Sequence, residues 1–263
     1  MRPATEEFLY FLLWTAETLT MRPTWRNLND PFEGWAHRNG LARRLHYLER
    51  EKLVERHPTT DLGRVVRLTE AGRLAALGGR DPAERWARAW DGRWRLVLFD
   101  LPSRKRELRI RWWRHLRTSG FGYLQNSVWI TPDSLAETER VLSRESVAVE
   151  TLTLFEGHPA GGETDAQLVA GAWDFATVNA QYAQHQLVLR ELPATTDLTI
   201  LREWARRERT AWHGAMQRDP LLPQVLLPPD YAGKKAWAAR RQAFAKLGQR
   251  LVEHTGAKPY ADT

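Results

Sequence analysis

The sequence predicts an α+β protein in three parts: an N-terminal winged helix-turn-helix, a central ferredoxin-like βαββαβ domain and a mainly helical C-terminal domain. Three observations carry that prediction. Helical apolar spacing over the first fifty residues gives way to two short strand-like runs around a glycine-bearing turn. From Trp94 to Phe155, strand and helix patterns alternate in the order βαββαβ. Beyond residue 164 the periodicity is helical, apart from one proline-rich stretch. The expected domains are 1–80, 93–160 and 161–263, with a linker helix over 81–92.

Taken in order, the first helix is expected over Thr5–Leu19 and a broken one over Thr24–Phe32, with Thr24 as N-cap. The third helix runs over Asn39–Glu51. Its Leu41, Leu45 and Leu48 recur at the spacing of one buried stripe, so Asn39, Arg43, His46, Tyr47 and Arg50 share the opposite side. That mixture suits a major groove, where arginine forks onto guanine and asparagine onto adenine. A solvated charged surface would produce the same pattern. The strands follow at Leu53–Arg56 and Arg64–Leu68, with a turn at Thr59–Gly63. They form the wing, whose Arg64 and Arg67 are placed to meet phosphates.

After Gly78-Gly79, the stretch DPAERWARAWDGRW reads as the linker helix, with Trp86 and Trp90 on one face and packed against a neighbouring domain. The central domain then runs strand Trp94–Phe99, helix Arg104–Ser119, strands Tyr123–Gln125 and Ser127–Ile130, helix Ser134–Glu145 and strand Val147–Phe155. In its first helix Leu108, Trp112 and Leu116 form the buried side. Arg106, Ile110, Trp113 and Arg117 fall opposite, facing either another domain or a CoA-type anion, with phosphates on arginine and adenine on tryptophan. Two long helices are expected over 171–192 and 195–220, and a last one from Lys234; Lys258–Thr263 is expected to be disordered.

Composition narrows the function. A chain of 263 residues suffices for two or three compact domains. It has no cysteine, which excludes disulfides and thiolate metal sites and suits a reducing cytoplasm, the expected location. No apolar run reaches the roughly 18 to 20 residues of a membrane span. The opening MRPATEEFLYFLLWTAETL, acidic ahead of its apolar part, is not a signal peptide. A net charge of +7 and a pI near 10.0 favour a polyanionic partner, nucleic acid before membrane.

Enzymatic motifs are missing. The eight histidines show no close metal-binding spacing, and there is neither a glycine-rich phosphate loop nor a G-x-S-x-G, so no cofactor and no metal are expected. Asp100, at the tip of an apolar strand, could hold a metal or cap a turn, and the turn is the simpler reading. One carboxylate is a poor Mg²⁺ site, and Asp133, the next candidate, opens a helix.

Three strings, WRLVLFDLPSRKRELRIRWWRHLRTSGFGYLQNSVWITP, GAWDFATVNAQY and RDPLLPQVLLPPDYAG, stand in order at sensible spacing. On them the chain resembles the PaaX family of bacterial transcriptional repressors, over about residues 5–250. The resemblance implies a DNA-binding winged helix and a middle domain similar to the small ferredoxin-like nucleases of CRISPR spacer acquisition. It implies a homodimer on a palindromic double-stranded operator, and release by phenylacetyl-CoA as in the best-known members. Asp100 matches the aspartate proposed to bind metal across the dimer axis of those nucleases. In the third helix Ala42-Arg43-Arg44-Leu45 replaces the family's run of arginine, threonine, alanine and leucine. The operator therefore does not carry over, and the effector is expected only within a class, an aryl- or acyl-CoA thioester or an aromatic acid. The alternatives are a metal-dependent nuclease built on Asp100 and a protein-interaction module using the tryptophan-rich C-terminal helices.

Overall fold

A computed structural model describes residues 42–59, 63–77, 79–100, 106–125, 127–143 and 151–255. The helices expected at Thr5–Leu19 and Thr24–Phe32, together with Asn39, Leu41 and Lys258–Thr263, lie outside them. The chain divides into two compact units. Unit 1 is Met1–Asp81, Gln184–His213 and Lys234–Thr263; unit 2 is Pro82–Ala183 and Gly214–Gly233.

In unit 1, α1 (Ala42–Arg50) buries Leu45 and Leu48, as its stripe requires. Its end is a Schellman turn. Leu53 N–H donates to the Leu48 carbonyl at 2.9 Å and Lys52 N–H to that of Glu49 at 2.9 Å, with Lys52 left-handed at φ 56°. The chain thereby reverses into strand β1 (Val54–Thr59), paired antiparallel with β2 (Gly63–Leu68) from Val54↔Leu68 to Thr59↔Gly63. Both strands meet closer to the turn than the sequence suggested. Helix α2 (Glu70–Ala76) starts at Thr69, whose hydroxyl donates to the Lys52 carbonyl at 2.8 Å and accepts from Gly72 N–H at 3.0 Å. A methyl at Gly72 would lie 1.9 Å from the Leu53 carbonyl oxygen, so only glycine fits there.

Unit 2 opens with α3 (Pro82–Ala87), followed by β3 (Trp94–Asp100), α4 (Arg106–Thr118), β4 (Gly122–Gln125), β5 (Val128–Thr131), α5 (Leu135–Ser143) and β6 (Thr151–Gly157). All pairings are antiparallel, and the sheet order is β4-β5-β3-β6. That is the split arrangement of a βαββαβ chain: the first strand lies between the third and the fourth, with the second outermost. Val97, Phe99, Trp112, Leu116, Phe121, Trp129, Val141 and Leu142 form its core. The final strand differs from the expected Val147–Phe155: it runs to Gly157, and residues 147–150 lie outside the described ones.

The expected helix over 171–192 is two. Helix α6 (Asp165–Ala172) carries a capping box between Thr164 and Gln167, and ends where Trp173 turns extended. Asp174 then caps α7 (Phe175–Arg190) by accepting from Thr177 N–H at 2.9 Å. A tryptophan and a capping aspartate thus break a run whose apolar spacing reads through. Helix α8 (Leu198–Arg218), a short 3₁₀ turn at Gln224–Leu226 and α9 (Gly233–Thr255) complete the described elements. The linker helix also ends early, at Ala87, so Trp86 and Trp90 share no helical face. Trp86 is buried and donates to the Tyr231 hydroxyl at 3.0 Å, and Trp90 lies against Trp94.

Candidate nucleic-acid interface

The exposed side of α1 follows from burying Leu45 and Leu48. Turning those two inward leaves His46 and Arg50 with side chains 80% and 74% exposed and Tyr47 half-buried between them. The Arg50 guanidinium lies 5.3 Å from the Tyr47 ring centre, a cation–π contact that holds its fork outward. It also reaches Glu51 at 3.4 Å, and His46 Nδ1 is 3.2 Å from a Glu49 carboxylate oxygen. Arg43 stands in the first turn of α1; Arg64 and Arg67 stand in β2, opposite Pro58 and Glu55. The hairpin follows the helix after three residues, and the Thr69 hydroxyl ties the two together by donating to the Lys52 carbonyl. An imidazole, a phenol and a guanidinium on one helical face can donate to phosphate oxygens and to base edges.

The second candidate set separates. Arg106 and Arg117 are exposed at opposite ends of α4. Trp113 instead leans onto the sheet, its ring 6.0 Å from Tyr123 and 6.4 Å from Trp129. On a 100° wheel Trp113 borders the buried arc of Trp112 and Leu116, and an indole is long enough to reach inward from there. Arg117 lies 6.0 Å from the Trp129 ring and lines a cavity of about 980 Å³ within unit 2, shared with Trp173, Phe175, Arg218, Val225 and Pro228.

Asp133 is no metal ligand in waiting. It is buried and receives Arg85 and Arg88, each at 2.8 Å, while Arg88 also donates to the Leu221 carbonyl. Helix α5 is capped by Ser134, which accepts from Glu137 N–H at 3.3 Å. No sequence signal links Asp133 to arginines more than forty positions upstream. Among the described residues no three carboxylates or histidines cluster as a metal site would need. Nor is any described helix long and apolar enough to cross a membrane.

Two further buried polar groups escaped sequence reasoning. In unit 1, Glu208 accepts from Arg240 Nε at 2.8 Å and lies 2.8 Å from His185 Nε2, all three buried. In unit 2, Asp219 accepts the hydroxyls of Tyr182 and Tyr231 and, at 2.8 Å, the N–H of Leu221. Both clusters hold helices together.

Comparison with known proteins agrees with this architecture. The family model described as the PaaX protein central Cas2-like domain matches residues 87–169, and that of the PaaX-like protein C-terminal domain matches 173–258. The chain is 25% identical over 230 residues to the transcriptional repressor PaaX of Escherichia coli (strain K12). That alignment takes in 84% of this chain but only 65% of the relative's length. Among solved structures, the uncharacterized protein Rv0674 from Mycobacterium tuberculosis is similar in fold, with a TM-score of 0.50 and 22% identity over 83% of this chain and 84% of that one.

Proposed function

Because the chain belongs to the PaaX family, we propose that it is a DNA-binding transcriptional regulator without enzymatic activity. It acts as a repressor, binding a palindromic operator as a homodimer in the cytoplasm and leaving when a small effector binds. The observation that carries the reading is α1. Leu45 and Leu48 are buried while His46, Tyr47 and Arg50 turn outward, directly ahead of a two-stranded wing. Asn39, Arg43, His46, Tyr47 and Arg50 address the groove, and Arg64 and Arg67 the flanking phosphates. In a two-fold dimer the half-sites then fall whole turns of roughly 10 base pairs apart.

The edge strand β6 supports dimerisation, since Leu152 and Phe155 are 44% and 56% exposed on a sheet edge that no other described strand pairs with. The cavity of unit 2 has the size of a small-molecule site and accommodates the effector, an aryl- or acyl-CoA thioester. An effector acts by favouring a dimer whose recognition helices no longer match the operator spacing.

The test is binding to a fluorescent duplex of the gene's own upstream intergenic DNA at two salt concentrations, with a scrambled duplex as competitor. Selective, salt-sensitive binding is expected. Arg43→Ala should cost about 1–3 kcal/mol and relax selectivity; unchanged affinity in that variant refutes the assignment of α1.

A further inference from the structure

We propose that the exposed face of α4 is a second DNA contact, one that grips the phosphate backbone and reads no sequence. It rests on the regulator reading above and extends the footprint from unit 1 to unit 2. On α4, burial of Trp112 and Leu116 in the core leaves Arg106, Arg111, Arg114 and Arg117 exposed, with Glu107 the one carboxylate beside them.

What sets this face apart is how unit 2 treats five of its other arginines. Arg85 and Arg88 share Asp133, Arg93 and Arg95 share Glu156, and Arg140 takes Glu137. Among the described residues, Arg106, Arg114 and Arg117 have no such ion pair, apart from the contact of Arg117 with the Trp129 ring. These three cations stand on one helix and, among the described residues, are left for an anion from outside.

The shape of the face selects the anion. At about 1.5 Å per residue, Arg106 and Arg117 are roughly 16 Å apart along the helix axis. A compact anion cannot touch both, whereas duplex DNA offers a phosphate about every 3.4 Å along each strand. An anionic membrane surface fits less well, because an interfacial helix needs a broad apolar face to sink. Here Trp112 and Leu116 are committed to the core and Ile110 alone, 46% exposed, lies among the arginines. Single-stranded nucleic acid would call for aromatic platforms, and Trp113 is turned onto the sheet. Guanidinium forks on phosphates of a duplex remain.

The experiment uses the full chain with Arg106→Gln and Arg114→Gln together. Arg117 is kept because it also lines the cavity, and a thermal melt verifies folding. Affinity for the upstream duplex and for the scrambled duplex is measured across a salt series. The expected result is an equal loss for both duplexes, on the order of tenfold. It comes with a slope of log affinity against log salt shallower by about 2, near 0.9 for each phosphate released. Lysine at both positions should restore the slope. An unchanged slope in the glutamine variant, with selective wild-type binding, overturns this proposal and leaves the regulator reading standing. A loss confined to the upstream duplex overturns it as well, since that is base readout. Wild-type protein that selects neither duplex overturns the regulator reading itself, and this proposal with it.

Discussion

Glu208 in unit 1 and Asp219 in unit 2 are both buried carboxylates, and they are satisfied in different ways. Glu208 is matched by a cation: Arg240 bonds it while lying 4.9 Å from Trp212, 5.6 Å from Trp237 and 4.4 Å from Phe244, a guanidinium boxed by rings. Asp219 is matched by hydroxyl and amide donors, from Tyr182, Tyr231 and the Leu221 backbone, and Tyr231 in turn accepts from Trp86. The cost of the ionic solution is visible. Glu208 Oε2 and His185 Nδ1 have no hydrogen-bond partner among the described residues. Burial pushes the Glu208 carboxyl up against the pull of Arg240, and burial, then the Arg240 charge, pushes His185 down to about 3. In unit 2 burial and the Asp219 charge push both phenols up instead. A buried charge held by a charge is expensive to break, and one held by neutral donors gives way more gradually.

The largest effect should come from breaking the ionic cluster. Glu208→Ala leaves Arg240 as a buried cation without its carboxylate and should cost about 3–5 kcal/mol, read by chemical denaturation. Asp219→Asn keeps the shape but replaces an acceptor by an amide facing hydroxyls, and should cost about 1–3 kcal/mol in the same assay. A loss equal to that of Glu208→Ala would erase the distinction between the two solutions.

The clusters should also fail at opposite ends of the pH scale. His185 is neutral when folded, with a pKa near 3 against about 6.5 unfolded, so below 6.5 the unfolded chain binds the extra proton. Stability present above 6.5 is lost as pH falls towards 3, at up to about 1.4 kcal/mol per pH unit for one group. Glu208, with its raised pKa, contributes the opposite slope once pH drops into its own range. His185→Gln should flatten the upper part of the acid limb, and an unaltered limb would show that His185 does not titrate there. The phenols have raised folded pKa values, so their contribution is intact below about 10 and is lost as pH rises beyond it. Tyr182→Phe should weaken that alkaline limb and leave the acid one alone. Smallest of all is an exposed pair as control: Arg206 and Glu203 are 2.6 Å apart yet more than half exposed, and Glu203→Gln should leave the melting temperature unchanged.

Much of the architecture was legible because it is written in periodicity, which is local. The stripe of Leu45 and Leu48, the hairpin after it, the βαββαβ order and the burial of Trp112 and Leu116 all followed from spacing. Periodicity was weaker at its margins. Trp113 lies at the edge of its helix's buried arc, where side-chain length decides the direction. The break at Trp173-Asp174 hid inside helical spacing, because a cap competes with a pattern without erasing it. For the candidate interface, residue types and their shared face were readable in α1. On α4 the charges were readable, but which arginines keep an anion and which do not was invisible.

By itself, then, the sequence determined the order of elements, the faces they bury and the excess of positive charge that calls for a polyanion. Each of these depends on residues within a turn or two of one another. Only the tertiary structure decided which charges are spent inside the protein. Asp133 meets Arg85 and Arg88, Glu208 meets His185 and Arg240, and Asp219 meets Tyr182 and Tyr231. Most of these partners stand tens of positions apart, and packing of separate elements brings them together. Among the described residues, Arg106, Arg114 and Arg117 of α4 are distinguished in the same way, by the carboxylates that packing does not bring to them.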